Sequence, residues 1–428
     1  MSLSLPSLYP ETPARRDEWI ISRRSQRNAL DPFRPYAFFI DHEPGCPILA
    51  EAVSLQGWES NPLHLSSRAK LAAASAVEGP AVSNAGYVSS LTQLKPERAA
   101  LSPEPSALSP VPVRAEGPAV ASGFSDAGPL THLNPEHAAL SSELCALRSV
   151  PVATIFLTNR ECPWRCLMCD LWKNTLTETV PAGAIPAQID YALERLGPAR
   201  HIKLYNSGSF FDPHAIPVDD YPAIVQRVSN FERVIVECHP ALIGETCFRF
   251  NELLPGRLEV AMGLETVHPE ILDKLNKRMT TGQFAAAAAR LREHDIDMRV
   301  FILVKPPFMK EDEALHWAER SLDFAFNCGA TAATLIPTRA GNGAMEELAS
   351  FGDFSPPRLA TLEAALDYGI NLHGGHVFPR RTFVDLWDLK PGTECPHCHP
   401  ARIARLRDMN LQQTVLDPVV CAFCRGKN

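Results

Sequence analysis

From residue 152 onward the chain alternates six short apolar runs with longer helical patterns, and few folds accept that alternation. The short runs fall at 152–158, 201–205, 233–237, 257–263, 297–304 and 330–336. They are too apolar to leave one face in water, so each reads as a parallel strand covered on both sides. Helical spacing recurs near 187–196, 219–228, 281–293, 313–327 and 357–368. Six strand-then-helix repeats over about 220 residues predict an α/β fold, a partial (βα)6 TIM-like barrel, short of the ~250 residues of the full eight-fold form. In such barrels the side chains that do chemistry gather at the C-terminal ends of the strands.

The chain before residue 151 has a different texture. Residues 1–54 carry Trp19-Ile20-Ile21 and an apolar run at 35–40, which predicts a helix and then a strand in an N-terminal extension packed on the barrel. Residues 55–150 shift to Ala, Ser, Pro, Gly and Leu and contain a tandem repeat. Glu-Gly-Pro-Ala-Val at 78–82 recurs at 116–120, and Leu-Thr-Gln-Leu-Lys-Pro-Glu at 91–97 recurs as Leu-Thr-His-Leu-Asn-Pro-Glu at 130–136. Two proline-broken copies are too few to stack as a solenoid, so this block is expected to be a duplicated, low-complexity and largely disordered insertion. The barrel is then expected over 151–375, and a small metal-binding module over 376–428.

Lys and Arg total 41 against 49 Asp and Glu, a net charge of −8 that opposes a broad nucleic-acid surface. Two local groups, Arg15, Arg16, Arg23, Arg24 and Arg27, and Arg402, Arg405 and Arg407, stand as candidate basic patches. Ordinary solvated charge, balanced in part by Asp17 and Glu18, is the alternative for either. No apolar run approaches membrane-span length, and the first 19 residues lack the apolar core of a secretion signal; a cytoplasmic protein without a membrane partner is expected.

In that setting twelve cysteines point to metal rather than disulfides. Cys46, Cys145, Cys238, Cys247 and Cys328 stand alone and read as small buried residues. Cys162, Cys166 and Cys169 form C-x3-C-x2-C directly after the first strand. Three thiolates on one short loop can wrap a compact cluster, because soft sulfur ligands select iron–sulfur or zinc. A [4Fe–4S] cluster on three cysteines leaves one iron open to chelate a small molecule. A zinc site completed by a distant histidine is the other option.

This loop, at the end of the first strand of a six-fold βα barrel, resembles that of the radical S-adenosylmethionine superfamily. The resemblance implies that Cys162, Cys166 and Cys169 hold a [4Fe–4S] cluster whose open iron binds S-adenosylmethionine. One electron from a donor then cleaves the sulfonium to methionine and a 5′-deoxyadenosyl radical, which abstracts hydrogen from substrate. Asn206-Ser207-Gly208-Ser209 resembles the turn that holds the cofactor's amino group, although the family pattern is often Gly-Gly-Glu. Glu237 and Glu265, leaving the third and fourth strands, are implied contacts to ribose or amino group.

Residues 258–279 are similar to the elongator catalytic-subunit group. Residues 15–45 and 152–428 together resemble the archaeosine-synthase radical subunit, carried by 159–172, 203–212, 259–279 and the terminal cysteines. That resemblance implies tRNA as partner and a base modification through radical C–N cleavage. A radical enzyme acting on a small metabolite and a non-catalytic zinc-bearing interaction protein stand beside it.

Lys305 and Arg339, after the fifth and sixth strands, either meet a carboxylate or phosphate or join structural ion pairs. Gly341-Asn342-Gly343 resembles a loop closing over substrate, and His239 and His268 read as structural histidines. Near the C-terminus, Cys395-x2-Cys398 and Cys421-x2-Cys424 approach the two-knuckle template of tetrahedral zinc. Paired knuckles in one short segment favour zinc, with an auxiliary [4Fe–4S] cluster as the alternative, and the basic helix between the knuckles suggests RNA docking.

Overall fold

A computed structural model describes residues 9–43, 150–372, 380–387, 389 and 394–425. The repeat block, Cys46 and Cys145 lie outside the described residues. Eight strands hydrogen-bond in sequence order in one sheet: β1 (Ala37–Glu43), β2 (Val150–Phe156), β3 (His201–Tyr205), β4 (Arg233–Glu237), β5 (Arg257–Glu265), β6 (Asp297–Val304), β7 (Ala332–Pro337) and β8 (Arg381–Val384). β1 runs antiparallel to β2, and every later pairing is parallel. The helices are α1 (Pro13–Ile21), α2 (Ala184–Leu193), α3 (Tyr221–Val228), α4 (Glu245–Leu253), α5 (Pro269–Lys274), α6 (Thr281–Glu293), α7 (Glu311–Asn327), α8 (Ala344–Phe351), α9 (Leu359–Asn371), α10 (His399–Gln412) and α11 (Ala422–Arg425). None is long and apolar enough to cross a membrane.

The sheet curls into a half-barrel. Tyr205 on β3 and Phe301 on β6, with two strands between them, bring their ring centroids to 6.4 Å. One set of alternating residues, among them Ile155, Leu204, Val236, Val260, Val300 and Leu335, is buried in a core shared with Ile189, Ile224, Phe250, Phe284, Leu322 and Leu366 of the helices. Burying these side chains contributes roughly 1.5–3 kcal/mol each relative to exposure, which is what drives the βα repeats together.

The other alternating set faces the concave side in layers. Deepest is Glu259, fully buried, which accepts from Arg299 at 2.6 Å and Arg233 at 3.0 Å, with Arg381 at 3.6 Å. Lys203 pairs with Asp41 at 3.0 Å on β1. Above these charges lies an aromatic floor of Phe39, Phe156, Tyr205 and Phe301. The strand ends that carry the cysteine loop rise above that floor.

Two strands extend the expected barrel. β1, with α1 before it, is the helix and strand expected of the N-terminal extension. β8 was not foreseen, and it is an edge strand whose outward backbone groups need partners. Two amides from the end of α10 supply them. Asn410 Oδ1 accepts from Val384 N at 2.9 Å and its Nδ2 donates to Val384 O at 2.8 Å. Gln413 does the same for Thr382 N and O, both at 2.9 Å. The pair of side chains stands in for a ninth strand.

Candidate cofactor site

The loop after β2 carries Cys162, Cys166 and Cys169, all free and half-buried. Burial pushes the Cys162 thiol up to about 12, and it raises Cys166 and Cys169 as well. Thiols in such surroundings become thiolates only with a positive partner, such as iron or zinc, at the sulfur.

Three separate elements grip this loop. From the segment after α5, Leu275 O accepts from Leu167 N at 2.9 Å and Asn276 Nδ2 donates to Arg165 O at 2.8 Å. From the turn before α8, Asn342 Nδ2 donates to Leu167 O at 2.7 Å and Cys169 O at 3.2 Å, while Lys173 Nζ donates to Gly341 O. The Gly341-Asn342-Gly343 segment is therefore a clamp on the cysteine loop.

The N-terminal arm is the third element. Glu161, immediately before Cys162, takes ion pairs from Arg24 at 2.6 Å, from Arg27 and from Arg165 at 3.1 Å. Arg16 binds Asp273 at 2.9 Å and Arg23 binds Glu347 at 2.5 Å. Four of the five arginines read as a candidate basic patch, all but the exposed Arg15, are thus used to fasten the arm across the barrel mouth. Arg402 and Arg405 are similarly engaged, with Glu363, Glu394 and Asp367.

Burial alone would raise the Glu161 carboxyl, but the hydrogen bonds from Arg24 and Arg27 outweigh it and hold the group below its ordinary range. A carboxylate depressed in the folded state stabilises above its unfolded pKa, about 4.3, and that contribution fades as pH falls through the folded value. Glu161→Gln should therefore melt below the parent at pH 7, and the gap should narrow on acidification below about pH 4. A thermal melt series from pH 7 to pH 3 checks this; a gap constant with pH would place the stabilisation elsewhere.

The turn after β3 lies directly against the cysteines. A Cβ added at Gly208 would stand 3.2 Å from Cys162 Cβ, so glycine permits the close approach. Glu237 Oε1 accepts from the backbone N–H of Asn206 at 2.7 Å and of Gly208 at 3.4 Å. Burial raises the Glu237 carboxyl to about 6 against the pull of those N–H groups. Ser207 sits in the left-handed region with φ of 54°, and its hydroxyl meets Tyr36 Oη at 2.6 Å. Ser209 Oγ accepts from His239 N at 3.0 Å. Asn206 is fully buried, yet neither its Oδ1 nor its Nδ2 has a partner. A buried amide with both ends unpaired is costly, and a ligand group would relieve it.

Glu265 ends β5 at a bulge, with φ of 66°. Its Oε1 binds Lys277 Nζ at 2.7 Å, both side chains about nine-tenths buried. Burial opposes the Lys277 charge, but the Glu265 carboxylate and the thiol of Cys166 more than offset it and raise its pKa. Gly263 makes room for this pair: a Cβ there would overlap Glu265 Oε1 and stand 2.5 Å from Lys277 Nζ.

His239 stacks on Trp164 of the cysteine loop, centroids 3.8 Å apart at 13°. Its Nδ1 accepts from Ala241 N at 3.1 Å, which leaves Nε2–H to donate to Lys277 O at 3.1 Å. Burial lowers its pKa to about 3, so the ring is neutral with both nitrogens engaged. His239 is therefore unavailable to complete a zinc site. His268 caps α5 through Ile271 N, Lys305 is held by Ser355 and Glu311, and Arg339 pairs with Asp385 at 2.9 Å. These three are structural.

Lys277, Asn276, Tyr36 and Glu161 carry no individual role in the sequence alone. Lys277 lies inside the segment similar to the elongator group, and that was its only signal.

The two cysteine groups differ in spread. Among the described residues, Cys395, Cys398, Cys421 and Cys424 are the one group of three or more His, Cys, Asp or Glu whose ligand atoms all fall within 4.8 Å of one another. The three loop thiols are wider apart than that, as a multi-iron cluster larger than one ion requires. The sulfur donor set, the Gly208 cradle and the orphaned Asn206 amide all fit a cluster with a chelated cofactor.

No family model matches the chain. An uncharacterized protein of Methanocaldococcus jannaschii is 27% identical over 224 residues, 48% of this chain and 61% of that one. Archaeosine synthase subunit beta of Methanosarcina acetivorans is 26% identical over 220 residues, 48% of this chain and 63% of that one. The match thus spans less than two thirds of either relative's length. Among solved structures, archaeal Elp3 of Methanocaldococcus infernus aligns with a TM-score of 0.39 at 12% identity, over 53% of this chain and 59% of that chain. Over about half its length, then, the chain is similar to archaeosine synthase subunit beta, and the matched stretch is the kind of half-barrel that carries the cysteine loop at its mouth.

Proposed function

We propose that Cys162, Cys166 and Cys169 hold a [4Fe–4S] cluster, that S-adenosylmethionine binds beside it, and that the substrate is a nucleobase of tRNA. The observation that carries the cofactor reading is the convergence on one strand-end rim of three half-buried thiols, the orphaned Asn206 amide and the Glu265–Lys277 pair. When bound, the cluster and S-adenosylmethionine supply an electron and the 5′-deoxyadenosyl radical.

The chain's own groups orient and shield. Glu237 braces the Asn206–Ser209 turn from below, so that the turn's remaining polar atoms face the ligand rather than each other. The Asn206 amide offers one donor and one acceptor to an amino-acid head group. Lys277 supplies positive charge beside thiolates that burial would otherwise keep protonated. The arm from Tyr9 to Tyr36 covers the loop and limits water there, which favours electrostatic contacts.

The tRNA reading rests on the relatives named archaeosine synthase subunit beta. The free cysteines among the described residues suit a reducing, cytoplasmic compartment. With Arg16, Arg23, Arg24, Arg27, Arg402 and Arg405 engaged in internal ion pairs, a small-metabolite substrate is the second reading.

Anaerobic reconstitution with iron and sulfide, followed by S-adenosylmethionine and reductant, should yield 5′-deoxyadenosine by mass spectrometry. Addition of unmodified tRNA should raise that yield and give a mass change in one digested nucleoside. Full yield without RNA, unchanged by its addition, would sink the tRNA reading and leave the metabolite reading standing.

A further inference from the structure

We infer that Cys395, Cys398, Cys421 and Cys424 bind a single zinc ion, not a second iron–sulfur cluster, and that this ion clasps the segment that closes the edge of the barrel sheet. The inference is independent of the catalytic reading.

Geometry decides between the two metals. The four ligand atoms lie within 4.8 Å of one another, and Cys398 Sγ is 3.8 Å from Cys424 Sγ. With Zn–S bonds of about 2.3 Å, a tetrahedron has sulfur–sulfur edges of roughly 3.8 Å. In a [4Fe–4S] cluster each thiolate sits on a different iron, so its sulfurs stand farther apart than around one ion. The same chain supplies the contrast, because the three loop thiols at the barrel mouth fail the spacing that these four meet. Four protein sulfurs also leave no open position, the mark of a structural zinc site.

The surroundings are built for an ion held between two knuckles. Cys398 stands at the N-cap of the fourteen-residue α10, which fixes its position relative to the helix. His397 of one knuckle stacks on Phe423 of the other, centroids 3.9 Å apart at 11°. Those two rings hold the knuckles face to face beside the sulfurs.

What the ion fastens follows from the chain path. The cysteine pairs bracket α10 and the irregular segment after it. α10 is pinned to α9 by Arg402 with Glu363 at 2.7 Å and by Arg405 with Asp367 at 3.1 Å, and it buries Leu406 and Met409. Its far end supplies the Asn410 and Gln413 amides that satisfy β8. Metal binding closes this loop and so stabilises the cover over the last barrel strand, as structural zinc contributes directly to folding.

The test uses the full chain and elemental analysis. Parent protein and the variant Cys162→Ala/Cys166→Ala/Cys169→Ala should each retain one zinc per chain. After anaerobic reconstitution the triple variant should take up no iron or sulfide. Cys398→Ser/Cys424→Ser should lose the zinc, and amide exchange in β8 and α10 should quicken while β3 to β5 are unchanged. If that variant does not fold, parent protein grown with cobalt should show the visible d–d absorption of tetrahedral cobalt–thiolate. A triple variant that binds about four irons with sulfide and no zinc would overturn the inference. So would parent protein that holds no metal at these cysteines in either growth medium.

Discussion

Replacing Cys166 with alanine should reduce 5′-deoxyadenosine formation by anaerobically reconstituted protein to the level of a protein-free control. Altering an outer partner of a metal ligand already costs 10- to 100-fold in affinity or activity, so removing one of only three ligands should exceed ~100-fold. Iron content should fall with it. Cys166 is the middle thiol of the loop and, like Cys162, feels the charge of Lys277. The loop itself should survive, because its grip comes from Leu275 O, Asn276, Asn342 and Glu161, none of which touches the sulfur. The variant's melting temperature before reconstitution should accordingly stay close to the parent's. Undiminished turnover in this variant would remove Cys166 from the cofactor site.

Much of this architecture was legible because its signals are local. Each of β2 to β7 is an apolar run that must be buried on both faces, and the run itself says so. The cysteine loop is legible for the same reason: three ligands within eight residues are near one another in almost any fold. β8 escaped notice because four residues carry too little pattern, and its partners, Asn410 and Gln413, come from a helix nearly thirty residues later. The first arginine group was misleading in a related way. Arg24 and Arg27 lie 137 and 134 residues before the Glu161 they bind, so sequence proximity showed a basic cluster where the fold makes a strap. The charge of a segment predicts a surface only when its counter-charges are also local. Lys277 was invisible for a subtler reason: its significance depends on a strand bulge at Gly263 and Glu265 that alternation cannot foresee.

Lys277→Met carries the second large expected effect, and cluster-free protein is the place to measure it. The substitution keeps the length of the side chain but leaves the Glu265 carboxylate buried with its counter-charge gone. Removing one partner of a buried ion pair typically costs about 3–5 kcal/mol. For a chain with a folded body of this size, 1 kcal/mol moves the midpoint by about 2–4 °C, so the melt should fall by roughly 10 °C. Lys277→Met/Glu265→Gln should recover most of the loss, since the orphaned charge is then gone too. Gly263→Ala should resemble the single variant, because the added Cβ overlaps the space both head groups occupy. The cycle separates folding from cofactor chemistry. If the pair were only a stability device, the double variant would regain turnover along with its midpoint. A Lys277 that also neutralises thiolates predicts the opposite split: stability restored, 5′-deoxyadenosine still lost. A cost below ~1 kcal/mol for Lys277→Met would mean that the pair is solvated, and the electrostatic account of the site would fail with it.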